Sequence, residues 1–279
     1  MRYRAFERNG SAGLAVKVGG VWRDLGNRQL IDLLAEGREN DPSVAEGAPE
    51  IAIDGLKLLP PIPKPGKVLC VGLNYVDHAA ESPYKNVPDY PTFFPRFASS
   101  LTADGAPIVR PDCSHELDFE GEVVAVIGRG GRHISEADAL DHVAGYSIFN
   151  DGSIRNYQFL APQWTPGKNF DDTGAFGPEF VTADEVPAGA KGLLLEVFLN
   201  GEKMQSANTD DMVFPVTTLV AKASEFATLE AGDIIVTGTP AGVGFARKPP
   251  VYMKDGDTVE VRVERLGTLT NPVRNETAA

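Results

Sequence analysis

Residues 116–127 read Glu-Leu-Asp-Phe-Glu-Gly-Glu-Val-Val-Ala-Val-Ile, with acidic side chains on alternate positions running straight into an unbroken apolar stretch. A strand puts residues two apart on one face, so Glu116, Asp118, Glu120 and Glu122 are expected to point the same way. Stacked carboxylates repel. Beside a strand destined for burial they are costly unless something positive neutralises them, and a cation with oxygen ligands is the strongest candidate. The same row would also serve as an exposed acidic edge that discourages aggregation. A third oxygen ligand has to come from elsewhere. Asp151 is the best candidate, because it follows the strand-like residues 146–150 and strand ends are where site residues gather. Asn150-Asp151-Gly152 is equally a turn signal in its own right.

A chain of 279 residues, 42% hydrophobic and 23% charged, suffices for one large domain and a small one. The net charge of −13 and the lack of any basic run longer than pairs such as Arg247-Lys248 exclude a nucleic-acid partner. A small anion remains compatible, since local Arg, Lys and a metal decide what a pocket binds. Cys70 and Cys113 lie in or beside apolar stretches and read as buried reduced thiols, which places the protein inside the cell, in the cytoplasm by default. The N-terminal MRYRAFERNGSAG has no apolar core of a signal peptide, and no stretch approaches the ~20 apolar residues of a membrane span.

Alternating apolar positions and Gly-Gly or Asn-Gly turns predict strands at 1–7, 12–18 and 21–24 and a helix at 28–36. Residues 59–66 then carry four prolines in eight positions, incompatible with a helix interior or central strand. The boundary is placed there: a small N-terminal α+β domain over 1–64 and a larger domain over 65–279. Beyond it, strands are expected at 67–72, 117–127, 146–150, 193–199, 233–237 and 257–264, and helices at 74–80, 135–143 and 216–226. The order does not repeat as βαβ, which points to a strand-rich α+β chain with a mixed sheet folded on itself. Phosphate-binding loops are excluded. Residues 238–244 lack a Gly-Lys-Ser/Thr ending, and Gly128-Arg129-Gly130-Gly131 has no third glycine at dinucleotide spacing.

Four separated pieces form one ordered pattern. They are Gly72-Leu73-Asn74-Tyr75-Val76-Asp77-His78-Ala79-Ala80-Glu81, Asp118-Phe119-Glu120-Gly121-Glu122, residues 150–158, and Gly238-Thr239-Pro240-Ala241-Gly242-Val243-Gly244. In these the chain resembles the fumarylacetoacetate hydrolase family over roughly residues 65–270. The resemblance implies mixed sheets rolled into a β-sandwich or roll carrying the site, a small N-terminal domain, and a homodimer. It implies metal ligation by Glu120, Glu122 and Asp151. Carboxylate oxygens suit Mg²⁺ or Mn²⁺, whereas no Cys or His cluster at ligand spacing favours zinc.

It further implies His78 as general base and Glu81 as its orienter on a mobile lid segment; three apart, the two share a helix face. Arg155 and Gln158 match residues that bind substrate oxygens, and Lys168 matches a lysine that stabilises an enolate or oxyanion. Thr239 is expected to donate to a substrate carboxylate. The chain departs from the pattern at Asn169, Gly152 and Arg96, where serine, a small apolar residue and lysine are usual. Arg96 is expected near the pocket mouth, favouring a longer or more anionic substrate. The implied reaction is hydrolytic carbon–carbon cleavage of a 1,3-diketo acid such as an acylpyruvate or fumarylpyruvate, in breakdown of aromatic or related compounds. Isomerisation or decarboxylation of a 2-hydroxymuconate-type acid at the same metal site is the alternative, and a non-catalytic scaffold a third.

Overall fold

The computed structural model describes residues 1–81 and 88–277, with the side chains of residues 78–80 outside the description. Among the described residues the main sheet runs, in spatial order, Val21–Asp24, Ser11–Val18, Arg2–Arg8, Gly174–Thr182, Val143–Asp151, Gly121–Ile127, Ile234–Val236, Val68–Gly72 and Thr92–Pro95. Leu58–Leu59 pairs onto Arg2–Arg8, and Leu101–Thr102 onto Gly174–Thr182. A second sheet orders Glu202–Asn208, Leu194–Leu199, Thr258–Val263, Gly267–Asn275 and Ile108–Arg110. Pairing is antiparallel except for Ile234–Val236 with Val68–Gly72, Leu101–Thr102 with Gly174–Thr182, and Gly267–Asn275 with Ile108–Arg110. Mixed, strand-rich α+β architecture is what the sequence led us to expect.

The Gly121–Ile127 strand shows why both faces had to be covered. Val123, Ala125 and Ile127 pack into one core with Leu195, Val197, Val259 and Val261 of the second sheet. Val124 and Val126 face the other way, into a core shared with Phe149, Phe176, Tyr3, Leu14, Leu30 and Leu33. Gly121 marks the closest approach of the sheets: a Cβ there would run into Val197 and Val261. Residues 1–64 contribute strands to the main sheet, with Arg2 and Tyr3 registered against Val181 and Phe180. The helix Leu30–Glu36 lays Leu30, Leu33 and Leu34 on that sheet and ends at Gly37, whose φ of 65° suits a residue without a side chain.

Three expectations need correction. The segment 117–127 is not one strand: Leu117–Asp118 pairs with Ser153–Ile154 in a separate ribbon, and Gly121–Ile127 alone joins the main sheet. The break at Phe119-Glu120 takes Asp118 out of the row: its carboxylate accepts from the Gly244 and Phe245 N–H groups, and Arg155 bridges it to Glu120. The helix expected at 135–143 is only a 3₁₀ turn, Ala139–His142. Ser135 and Asp138 bond each other there in a local turn, and Val143 already belongs to a strand. Cys70 is buried, but Cys113 is exposed; both are free. The helix Val216–Phe226 stands where it was expected. Gly174–Thr182 was missed because Gly177-Pro178 reads as a breaker, yet a register shift between Tyr146 and Ile148 opposite it absorbs the missing donor.

Candidate active site

The site lies where two neighbouring strands of the main sheet end. Glu122 is registered opposite Phe149, so both share a face, and Asp151, two further on, falls on that same face. The Asp151 N–H donates to the Glu120 carbonyl at 2.8 Å, which brings the third carboxylate alongside. Glu120, Glu122 and Asp151 are all buried and offer oxygens within 4.8 Å of one another. Hard carboxylate donors at this spacing fit Mg²⁺ or Mn²⁺.

Cations surround the cluster. The Lys168 Nζ donates to Glu120 Oε2 and Asp151 Oδ2, both at 2.7 Å, and lies 5.2 Å from the Phe94 ring centre. Burial alone would lower its pKa, but Asp151 and Glu120 outweigh burial and raise it, so it stays an ammonium. Arg155 donates from Nε to Asp118 at 2.8 Å and from Nη1 to the Gln158 Oε1 at 2.8 Å, and its Nη2 lies 2.6 Å from Glu120 Oε1. Glu122 takes its hydrogen bond from the backbone. The Gly238 N–H donates to it, but burial, then Asp151 and Glu120, push its pKa well above the carboxylate range despite Lys168. A buried carboxyl held against like charges is the place where a divalent cation fits the donor set.

The pocket above this floor is small, about 30 Å³, and is walled by Val71, Leu73, Phe94, Phe159, Trp164 and Phe245. Trp164 packs edge-on against Phe94 and occupies the room a Gly72 side chain would need. Phe245 lies under the Arg155 guanidinium at 4.4 Å. Lys168, Arg155, Gln158 and Thr239 line this pocket together with Glu120 and Glu122.

Two expectations about substrate contacts change. Arg96 is not at a pocket mouth. Its side chain is fully buried behind Asp151, donating to Asp151 Oδ1 at 2.5 Å, to the Gly152 carbonyl at 3.1 Å and to Thr173 at 2.8 Å. A planar fork suits this three-way support, which one ammonium could not span. The Thr239 hydroxyl donates to the Gly121 carbonyl at 3.0 Å and accepts from Gln205 at 2.9 Å, so its proton is directed into the protein. His78 falls on the helix Val76–Glu81, and its side chain lies outside the description. That helix is tied at both ends. Asn74 bonds Phe214 and the Thr237 carbonyl, and the Gly242 N–H donates to Glu81 Oε2 at 2.9 Å. Sequence reasoning missed Gln205, whose side chain also accepts from the Gly121 N–H at 3.1 Å, and it missed the aromatic wall. No local pattern marks either one.

Residues 67–274 match the family described as fumarylacetoacetate (FAA) hydrolase, C-terminal. The human mitochondrial oxaloacetate tautomerase FAHD2A is 43% identical over 233 residues, 83% of this chain and 74% of that one. The rat enzyme of the same name is 40% identical over 273 residues, 94% of this chain and 86% of that one. Among solved structures, the fumarylacetoacetate hydrolase of Exiguobacterium antarcticum superposes with a TM-score of 0.88 at 38% identity, covering 99% of this chain and 100% of that one. A maleylpyruvate hydrolase from Sphingobium sp. SYK-6, in complex with manganese(II) and pyruvate, gives 0.81 at 29% identity, covering 99% and 100%. No helix of the described residues is long and apolar enough to cross a membrane.

Proposed function

Given that this chain belongs to the fumarylacetoacetate hydrolase family, we propose that it is a divalent-metal-dependent enzyme that interconverts the keto and enol forms of a small 2-oxo diacid of the oxaloacetate kind. The observation that carries this reading is the clustering of Glu120, Glu122 and Asp151, two of which line one small, aromatic-walled pocket together with Lys168 and Arg155. The tautomerases at 40–43% identity support the choice of reaction.

Glu120, Glu122 and Asp151 would hold Mg²⁺ or Mn²⁺, which when bound supplies Lewis acidity that makes an enolate accessible near neutral pH. Arg155, oriented by Asp118 and Gln158, would clamp a substrate carboxylate through its fork. The Lys168 ammonium would face the oxygen on which negative charge develops. His78, with Glu81 as its partner on the same helix, would take the proton from the carbon between the carbonyls and return it. Phe94, Trp164 and Phe245 give the pocket an apolar wall, which would favour return of the proton to the substrate over its loss to solvent.

Oxaloacetate prepared in its enol form, followed by its ultraviolet absorbance, tests the reading. Purified protein with Mg²⁺ or Mn²⁺ should accelerate loss of the enol signal, and chelator should abolish the effect. A rate equal to buffer with metal alone overturns it. Hydrolytic cleavage of an acylpyruvate is the second reading, favoured by the likeness to the maleylpyruvate hydrolase, whose structure holds manganese and pyruvate. Pyruvate released with an equivalent of a second acid marks it; pyruvate with carbon dioxide marks decarboxylation instead. The homodimer belongs to the same proposal, and sedimentation at two concentrations checks it.

A further inference from the structure

Asp118 is fully buried and stands outside the carboxylate cluster, yet its carboxylate is fully engaged. Its Oδ1 accepts from the Phe119 and Gly244 N–H groups, both at 2.8 Å. Its Oδ2 accepts from the Phe245 N–H at 2.9 Å and from Arg155 Nε at 2.8 Å. Four donors therefore meet on one carboxylate, from three separate parts of the chain. Two of them belong to the pocket wall. Asp118 holds the backbone of Phe245, and the Phe245 ring lies under the guanidinium that Asp118 also holds. Gly244 is part of the device: a Cβ there would lie 2.5 Å from Asp118 Oδ1 and collide with the Val251 carbonyl, so only glycine lets this N–H reach.

The Arg155 fork is thereby fixed in the plane as well as along its axis. Nε is set by Asp118, Nη1 by Gln158, Nη2 faces Glu120, and the ring of Phe245 supports the flat face. We infer that Asp118 is a positioning residue for substrate selection: it sets the direction of Arg155 and the place of Phe245, and so decides how tightly a substrate carboxylate is gripped. The inference rests on the reading of Arg155 as the carboxylate clamp. Asp118 neither lines the pocket nor belongs to the carboxylate cluster, so it acts through Arg155 and Phe245. Loss of its charge would weaken the hold on the guanidinium and on the Gly244 and Phe245 backbone together, a loss of charge-assisted hydrogen bonding of the kind worth about 10- to 100-fold in binding.

Asp118→Asn and Asp118→Glu test this in the Mn²⁺-loaded protein, one removing the charge and the other displacing it. Three quantities are read: KM against kcat for oxaloacetate, the affinity for malonate as a non-reacting diacid by calorimetry, and the affinity for Mn²⁺ alone. Both variants should raise KM and weaken malonate by about 10- to 100-fold, with kcat and Mn²⁺ affinity held. In the double variant with Arg155→Lys, Asp118→Asn should add nothing to the loss that Arg155→Lys shows by itself. Additive losses, an unchanged malonate affinity, or Mn²⁺ affinity falling in step would overturn the inference. Failure of both single variants to yield folded, Mn²⁺-binding protein would overturn it too, by assigning Asp118 to the fold. If the wild type binds malonate but leaves oxaloacetate unchanged, the tautomerase reading fails while the malonate arm still decides the role of Asp118.

Discussion

Replacing Glu122 by Gln keeps the shape of the side chain and removes its charge, which separates the stability of the metal-free protein from its capacity to be stabilised by metal. In the folded protein Glu122 is buried, its pKa is raised by burial and by Asp151 and Glu120, and its hydrogen bond comes from the Gly238 N–H. A Gln oxygen still accepts that bond. An uncompensated buried charge is worth several kcal/mol of destabilisation, of which about 1–3 kcal/mol should be recovered in the metal-free variant. For a chain this size that is a rise in Tm of about 2–5 °C in chelator. With Mn²⁺ at about 100 times its dissociation constant the wild type should gain ~2.7 kcal/mol, and the variant should lose most of this gain. The sign with pH follows from linkage. A carboxyl whose folded pKa lies above its unfolded value holds its proton longer when folded, so its contribution to stability is full at low pH and is lost as pH rises through the folded value. The metal-free variant should therefore match the wild type below the ordinary carboxylate range and exceed it increasingly above. Scanning calorimetry at acidic and mildly alkaline pH, each with chelator and with Mn²⁺, gives all four comparisons. A variant less stable than wild type in chelator at every pH, or one that keeps the full Mn²⁺ shift, refutes the reasoning.

Three further outcomes follow from the geometry. His78→Ala should lower kcat for the enol of oxaloacetate by at least about 100-fold while Mn²⁺ binding by calorimetry is unchanged; retained turnover removes His78 from the chemistry. Arg96→Met breaks a buried pair behind Asp151 and should cost about 3–5 kcal/mol in urea unfolding, whereas a change confined to KM would return Arg96 to the pocket. Gly121→Ala forces a methyl against Val197 and Val261 and should cost about 1–3 kcal/mol in the same assay; a neutral result would mean the two sheets separate there without penalty.

Much of the site was readable because its carboxylates are close in sequence or end a recognisable strand. Glu120 and Glu122 stand two apart before an apolar run, and Asp151 closes Tyr146-Ser147-Ile148-Phe149-Asn150. The structure brings these three together, and Lys168, Arg155 and Gln158 line the same pocket as Glu120 and Glu122. What stayed hidden was set by distant partners. Arg96 meets Asp151 across 55 positions, and Gln205 meets Thr239 across 34, with no periodicity to announce either pairing. Asp118 reads as one more member of an acidic row until the strand break turns it towards Gly244 and Phe245. Strands were legible where apolar residues run almost without interruption, as at Leu194–Leu199, and illegible at Gly174–Thr182, where glycine and proline punctuate a pairing that the neighbouring strand accommodates.

The pairing of Arg2 and Tyr3 with Val181 and Phe180 also fixes an order of events during synthesis. The hairpin with Ser11–Val18 forms early, and Leu58–Leu59 soon shields Ala5 and Phe6, but the positions of Arg2 and Tyr3 on that edge wait until residues 174–182 have left the ribosome. At ordinary translation speeds that wait lasts on the order of 10–30 s. Throughout it the nascent chain carries an open strand end beside a tyrosine that is buried in the finished fold, so slower growth and added chaperone should raise the yield of soluble protein.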